Sequence, residues 1–456
     1  MTNIQPATIV SAVKQIKNFF SLIFLCILFP GAQAAFSQGE TAVPFLLIPS
    51  SPAANGMSSA MSSTNSDDPW AGLANPGHLG LMSLTTLATT GIYPGSTNLF
   101  QSLSGDEITF SAYAVNAGLI LNRRDAVPFT TSLGVGIARI NHGLGTFQVT
   151  QNSPTPIGSF EAEEHSTNFS VALGLDYFVQ AGVGLTLKFI GSSLAPFNVN
   201  MLGKEGVASA RAIDLGLMLR APLADIFEDR VAGVVQHHPG FGPIADLSLG
   251  YSLRNVGGTI SYIDDAQADL LPRNATLGIA GKFGIHHRSD QMQWEVLSVT
   301  VVREADDITI QRFRATYDTV YTDSVNYYVN YHEPPPPEYT GITGAIQIFN
   351  NIILGEGNTH VTLHKGVELN FGEFVQVRAG SIRGRGVSLI TNGWGIRLAG
   401  VFKIINWMSP SFADSPVGSF LLTRFDLRFD HASREYDDPT HPNNGVTFNG
   451  LSLVIH

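Results

Sequence analysis

An alternation of apolar and polar residues between positions 168 and 189 constrains this chain more than any other feature. Large apolar side chains such as Phe169, Val171 and Leu173 occupy every second position up to 179, and the pattern resumes at Val183 after a short connection. Side chains of a strand point to opposite faces with a period of two, so the pattern predicts a hairpin with one apolar and one polar face. Each arm is about ten residues long, the length that a tilted strand needs to cross a bilayer.

The same alternation recurs along most of the chain. It is found at residues 111–121, 133–137, 211–221, 247–255, 275–283, 361–371, 375–378, 394–403 and 424–430. We count fourteen to sixteen candidate strands with no helical period between them, and expect polar loops at 141–165, 225–244, 304–340 and 432–445. A soluble sandwich uses strands of about five or six residues. The strands predicted here are longer. Because every backbone polar group in lipid must be paired, they predict an all-β fold, namely a transmembrane antiparallel barrel whose apolar side chains face lipid.

The composition suits a membrane barrel better than a soluble domain. Only 14% of the 456 residues are charged, against about 25% in typical soluble proteins. Beyond the N-terminus no apolar run is long enough for a transmembrane helix. The net charge of -11 excludes nucleic acid as an expected partner; outer-membrane lipid is the expected one.

Residues 1–34 have the pattern of a signal peptide. Lys14 and Lys17 precede an apolar core at 19–29, and small residues at 30–34 predict cleavage near Ala34. Cleavage there removes Cys26 and leaves no thiol or disulfide chemistry. The predicted destination is the outer membrane of a Gram-negative-type envelope.

Residues 35–78 form a predicted N-terminal segment ahead of the barrel at 79–456. The segment is rich in Ser, Ala, Pro and Gly, and predicts little regular structure apart from one short helix near 52–62. A disordered tail is the alternative. The apolar run at 44–49 and Trp70 indicate instead that it packs against another surface.

We predict no catalytic, cofactor or metal site. His360 and His364 are four positions apart, which on a strand is about 13 Å, too far for one metal ion. The residues that matter more are charged ones on the inward parity, which a barrel lumen would enclose. These candidate lumen residues are Asp214, Arg220, Arg254, Lys282, Arg378, Arg397, Arg424, Asp426 and Arg428. A mutually paired polar interior is the interpretation favoured over a selective ion path.

Several segments resemble PorV/PorQ-type outer-membrane proteins of the FadL-like barrel superfamily. The likeness lies in PFLLIP at 44–49, AANGM at 53–57, DDPWAGLANPGHL at 67–79, GLTLKFI at 184–190, AIDLGL at 212–217, LSLGYSLRNVGG at 247–258 and LPRN at 271–274. The resemblance implies a barrel of about fourteen strands with its N-terminal segment, or hatch, in or against the lumen.

The resemblance also implies a non-enzymatic role. PorV-type members take part in type IX secretion, where their partners are translocon subunits and the C-terminal signal domains of cargo proteins. FadL-type members carry hydrophobic small molecules inward, which is the alternative function. A third hypothesis is a structural barrel with adhesive loops at 304–340 and 432–445.

Overall fold

The computed structural model describes residues 41–456 apart from 65–66, 101–107, 124–127, 151–155, 196–205, 231–239, 263–267, 312, 314–315, 322–326 and 333. The predicted signal peptide lies outside the described residues. Within the described part of the chain, no helix is both long and apolar enough to cross a membrane.

Fourteen antiparallel strands form a closed barrel, which confirms the predicted fold class. Each strand pairs with its neighbours in chain order, and the ring closes because the first strand pairs with both the second and the last. The strands are β1 Ala88–Ile92, β2 Thr109–Asn122, β3 Thr130–Thr150, β4 Pro156–Asp176, β5 Gln180–Ala195, β6 Gly206–Pro222, β7 Gly240–Gly257, β8 Asn274–Arg288, β9 Gln293–Ile308, β10 Thr362–Phe371, β11 Val375–Gly384, β12 Val387–Arg397, β13 Phe425–Tyr436 and β14 Thr447–Ile455.

The two ends of the barrel differ. At the end where β1 begins and β14 finishes, here called the terminal end, several connections are tight, such as 177–179 and 372–374. At the opposite loop end, the connection between β9 and β10 is the longest and carries short strands at Ile310–Gln311, Thr316–Tyr321, Tyr327–His332 and Glu338–Tyr339 and a π-helix at Ile348–Leu354. Two more short strands lie at Thr259–Ile260 and Asp269–Leu270.

The alternation that predicted the strands separates an apolar exterior from a packed interior. In β4, Phe169, Val171 and Leu173 are exposed, with 58% of Leu173 accessible, whereas Asn168 just before them and Ala172 between the last two are buried. A barrel that exposes an apolar band of this kind is built for lipid contact.

Several sequence-based predictions of local structure are wrong. Residues 141–150 and 156–165 belong to strands and not to a surface loop, because β3 continues to Thr150 and β4 starts at Pro156; the rest of this predicted loop, 151–155, lies outside the described residues. The strand predicted at 394–403 ends at Arg397, and the chain continues as helix. Helices therefore do interrupt the strands: α4 Leu223–Arg230, α5 Leu398–Met408 and α6 Pro416–Thr423, with a 3-10 turn at Pro410–Asp414 between the last two. The other predicted loops also give residues to strands, since β7, β9 and β13 extend into them.

The N-terminal segment lies inside the barrel. Residues 41–87, here called the hatch, contain a 3-10 turn at Pro44–Leu47 and the short helices α1 Pro52–Gly56, α2 Ala71–Ala74 and α3 Gly77–Met82. The hydroxyl of Ser51 caps α1 by accepting a hydrogen bond from the backbone N–H of Ala54 at 3.0 Å. For the described residues of this segment, the predicted placement in or against the lumen is confirmed.

Candidate functional site: the occupied lumen

Glycines of the wall let the hatch approach the barrel at backbone distance. A Cβ added at Gly174 of β4 would overlap the carbonyl oxygen of Gly80, and one at Gly250 of β7 would overlap that of Ser62. Similar overlaps would occur at the inward-facing glycines Gly134, Gly182, Gly184 and Gly216. Only a residue without a Cβ permits this contact, so these glycines shape the wall to the hatch.

Hydrogen bonds from several strands hold the hatch backbone. Glu304 of β9 accepts bonds from the N–H of Ser62 at 2.8 Å and from its hydroxyl at 2.5 Å. Asn116 of β2 donates to the carbonyl of Pro69 at 2.8 Å. From the hatch side, Asn75 donates to the carbonyl of Leu217 in β6 at 2.9 Å. Buried backbone groups that would otherwise lack partners are satisfied in this way, which stabilises the docked hatch.

One cluster of charges joins the hatch to the terminal end of the barrel. Arg428 donates from both terminal nitrogens to Asp67, with Nη1 2.5 Å from Oδ1, and its Nε lies 2.5 Å from Asp426. Arg397 binds the same Asp426 oxygen through Nη2 at 2.6 Å. Burial alone would raise the pKa of Asp67, but the Arg428 guanidinium outweighs burial and holds that pKa well below its ordinary value.

Two other titratable groups of the hatch are buried with shifted pKa values. Burial raises the pKa of Asp68 to about 6, against hydrogen bonds from the Ser51 hydroxyl and the Trp70 N–H. Burial also lowers the pKa of His78 to about 4, although its Nε2 lies 2.7 Å from the carbonyl oxygen of Met61. Both shifts favour the neutral form because a charge is poorly solvated there.

Part of the loop half of the lumen is apolar. Inward-facing residues of β2, β3, β5 and β14 form one cluster with the hatch; the wall contributes Phe110, Ala112, Ala114, Ala138, Ile140, Ile190 and Phe448. The hatch fills this compartment with Phe45 and Leu46 of its 3-10 turn and with Trp70, all buried. The apolar run at 44–49 therefore packs against wall residues of matching chemistry.

The terminal half of the lumen contains a polar cavity of about 440 Å³. Charged residues of both signs line it: Lys282, Arg378, Arg397, Lys403, Arg428, Asp67, Asp68, Glu295, Glu368, Glu373 and Asp430. The lumen thus has an apolar compartment in part of its loop half, beside the largely buried pairs His142–Glu164 and His364–Asp306, and a charged cavity in its terminal half.

Most of the predicted lumen residues take part in ion pairs inside the barrel. Lys188 lies 2.8 Å from the fully buried Asp214, Arg220 lies 2.7 Å from Asp246, and Lys282 lies 2.6 Å from Glu295. The predicted lumen residues did not include Lys188, Asp246 or Glu295, although the alternation places Lys188 and Asp246 on the inward-facing side of their strands.

The remaining predicted residues are placed differently from one another. Arg378 pairs with Glu368 at 2.7 Å and with Asp430 at 2.6 Å, and Arg254 is half-buried on β7. Arg397, Asp426 and Arg428 belong to the Asp67 cluster. Arg424 lies outside the lumen: it follows α6, is exposed at the rim and donates to the carbonyl of His456 at 2.8 Å.

Among the described residues, no group of three or more His, Cys, Asp or Glu side chains is arranged to hold a metal ion. His364 instead contacts the hatch, with Nδ1 2.6 Å from the carbonyl oxygen of Ser58, and pairs with Asp306 through Nε2. His364 thus serves as another link between wall and hatch.

No protein-family model and no curated protein matches this chain. Among solved structures it is similar to the toluene transporter TodX of Pseudomonas putida, with a TM-score of 0.36, 10% identity, and coverage of 93% of this chain and 98% of that one. It is also similar to a Pseudomonas aeruginosa FadL homologue, with a TM-score of 0.35, 10% identity and coverage of 89% and 97%. The CymD monoaromatic hydrocarbon channel gives a TM-score of 0.36, 10% identity and coverage of 89% and 95%. Likeness at this distance carries no functional argument.

Proposed function

We propose that this protein is an outer-membrane channel for hydrophobic small molecules, gated by its hatch. The observation that carries the proposal is the apolar compartment of the loop half. A polar, hydrated lumen is usual for a barrel, whereas here Phe110, Ile140 and Ile190 turn apolar side chains inward and Phe45 and Leu46 of the hatch cover them.

The orientation of the barrel supports uptake from outside. Barrels of this type have short periplasmic turns and longer extracellular loops, so we assign the terminal end to the periplasm and the loop end to the exterior. The apolar compartment then lies nearest the medium from which a hydrophobic molecule would arrive. Such a molecule would not continue along the barrel axis through the charged cavity on the periplasmic side, because the ion pairs there are solvated better by water than by an apolar molecule.

The wall beside the apolar compartment is interrupted. The β1–β14 ladder ends at the pair Ile92–Leu451, and the short strand Thr97–Asn98 pairs with β2. The intervening residues 93–96 have no ladder partner among the described pairings. Tyr93 at this break lies edge-on to Trp70, with ring centroids 5.7 Å apart, and donates a hydrogen bond to the carbonyl of Ser50 at 2.8 Å. A break in the ladder next to an apolar compartment is where a sideways exit into lipid would form.

The competing proposal is a PorV/PorQ-type role in protein secretion. One observation favours it: hatch and wall are bonded at many points around the ring, which suits a barrel whose lumen does not conduct. In that case the exterior loops, rather than the lumen, would contact translocon subunits or the signal domains of cargo.

One experiment separates the two proposals. The gene is deleted in its host, and uptake of the hydrophobic fluorophore N-phenyl-1-naphthylamine is measured beside the distribution of secreted proteins between periplasm and surface. Transport predicts slower uptake with normal secretion, and restoration by the wild-type chain. Retention of cargo in the periplasm with unchanged uptake would overturn the channel and favour the secretion role.

A further inference from the structure

In the connection between β12 and β13, the helix α5 turns polar side chains toward the protein and apolar side chains outward, the opposite of a water-exposed helix. The connection comprises α5, the 3-10 turn and α6, and projects at the terminal end of the barrel. The polar residues of α5, Lys403 and Asn406, face the protein, whereas Trp407 and Met408 at its end are 64% and 76% accessible, and Val417 of α6 is 68% accessible.

Contacts of α5 show that its polar face is directed at the barrel. Lys403 Nζ lies 2.5 Å from a carboxylate oxygen of Glu373, in the turn between β10 and β11. The N–H of Gly400 donates to the carbonyl of that same Glu373 at 3.1 Å. Asn406 is buried, and its side-chain oxygen accepts a hydrogen bond from the N–H of Ala413 at 3.2 Å. The only basic residue of the hairpin is thus paired inward, and the outward face of α5 carries no charge.

The apolar face of the hairpin is continuous with the lipid-facing surface of the barrel. Phe420 of α6 lies 6.3 Å between ring centroids from Phe425, the first residue of β13, and Phe402 of α5 lies 6.4 Å from the same ring. On the other side, Trp407 lies 6.3 Å from Trp294 at the start of β9. The exposed apolar residues Phe371 and Ile396 lie at or next to the ends of their strands at this level.

We propose that the α5–α6 hairpin is a membrane-interface anchor that inserts into the phospholipid leaflet at the terminal end of the barrel. A helix that hides its charge and exposes Trp, Met, Val and Phe loses free energy in water and gains it among acyl chains. Tryptophan prefers the boundary between headgroups and acyl chains, and Trp407 and Trp294 lie together there. Serines at 409, 411 and 415 and Asp414 in the connection between the helices remain suited to the headgroup layer.

The hairpin can act as an anchor only if the barrel spans a bilayer, whatever the lumen carries. Phospholipid is the proposed occupant of the apolar face. A periplasmic protein bound to the same face is the other outcome that the test separates.

The test places an environment-sensitive fluorophore on the hairpin. In a Cys26→Ser background, Met408→Cys and Val417→Cys are labelled with NBD and reconstituted in phosphatidylethanolamine–phosphatidylglycerol vesicles that contain doxyl-labelled phosphatidylcholine. Thr440→Cys, in an exposed loop at the opposite end, is the matched control. Heat-dependent gel mobility of each labelled variant verifies that the barrel is folded.

The proposal predicts that doxyl lipid quenches the probes at 408 and 417 about threefold more strongly than the probe at 440, while aqueous iodide does the reverse. Both labels should also emit at shorter wavelength in vesicles than the control. Strong iodide quenching with weak doxyl quenching at both positions would overturn the proposal, because the face would then be in water. If purified native membranes protect both labels from iodide and from doxyl lipid alike, a protein covers the face, and the proposal is again overturned.

Discussion

Arg428 and Asp67 form a two-pronged ion pair across 361 positions of sequence and join the last strands of the barrel to the hatch. Both side chains are largely shielded, and Asp426 holds the remaining nitrogen of the guanidinium. The pair fixes the hatch at the terminal side of the lumen, on the rim of the charged cavity.

Asp67→Asn should loosen the hatch without unfolding the barrel. The substitution removes the charge that opposes Arg428, and hydrogen bonds to charged groups contribute about 1.5–3 kcal/mol. Hydrogen–deuterium exchange of peptides from residues 67–87 should accelerate by about tenfold or more, while strand peptides keep their protection. Glu435→Gln, on the outward parity of β13, serves as the control and should leave exchange unchanged. Equal exchange in Asp67→Asn and wild type would contradict the role given to this pair.

Gly174→Ala should displace the hatch, because its methyl group would overlap the carbonyl oxygen of Gly80. Gly158→Ala is a matched control in the same strand, since a Cβ there meets nothing within 4 Å. Limited proteolysis in detergent should cut the hatch of Gly174→Ala at least about threefold faster than that of Gly158→Ala. Indistinguishable cleavage would show that the close approach at Gly174 does not hold the hatch.

Asp68→Asn should flatten the pH dependence of hatch docking. Burial raises the pKa of Asp68 to about 6, so the docked hatch binds this proton more tightly than the released hatch. The contribution of Asp68 to docking is therefore greatest below its ordinary pKa of 3.8 and is lost as pH rises through about 6. His78 acts oppositely, because its pKa is lowered to about 4 and docking is favoured above its ordinary value.

The difference between wild type and Asp68→Asn isolates the contribution of Asp68 from that of His78. Exchange rates of hatch peptides, corrected for intrinsic rates, should rise in wild type relative to Asp68→Asn between about pH 4 and pH 7. A constant ratio across that range would contradict a buried Asp68 that loses its proton in the docked hatch.

Phe45→Ala combined with Leu46→Ala should create a binding site for apolar molecules. The two side chains are buried in the loop half of the lumen, and Phe45 stacks on His142 with ring centroids 5.9 Å apart. A cavity lined by apolar residues stays dry and accepts apolar ligands. The double variant should bind N-phenyl-1-naphthylamine about tenfold more tightly than wild type or than Pro44→Ala, whose side chain is exposed. Unchanged affinity would mean that the compartment is not accessible to such a ligand.

The strands were predictable because their outward parity is apolar for its full length across the bilayer. Apolar residues such as Phe169, Leu173 and Val183 fit only a period of two, which is the period of a strand. The helix at 398–408 was not predictable by the same argument, because Leu398 and Phe402 are four positions apart, a spacing that fits both a strand face and a helix face. The strand residues 141–150 and 156–165 were not predictable, because strands that extend beyond the apolar band lose their alternation.

The apolar compartment of the lumen could not be predicted from the sequence. Inward parity was expected to be polar, and Asp214, Arg378 and Arg428 follow that rule. Ala112, Ile140 and Ile190 do not, since the hatch rather than water covers them. Partners such as Asp67 and Arg428 are brought together only when the hatch docks inside the closed barrel, which no local pattern encodes.

The measurement that tests the account most directly is uptake through a barrel whose hatch is locked. The Ser83 hydroxyl in the hatch donates to the Ser132 hydroxyl of β3 at 2.8 Å, so Ser83→Cys with Ser132→Cys places two sulfurs where a disulfide can form. Cells that carry this pair should take up N-phenyl-1-naphthylamine at less than about a tenth of the wild-type rate when oxidised, and recover the rate on reduction, because a hydrophobic molecule enters only when the hatch moves. Each single cysteine variant should transport as wild type does. Wild-type uptake through a fully oxidised pair would contradict a lumen gated by its hatch.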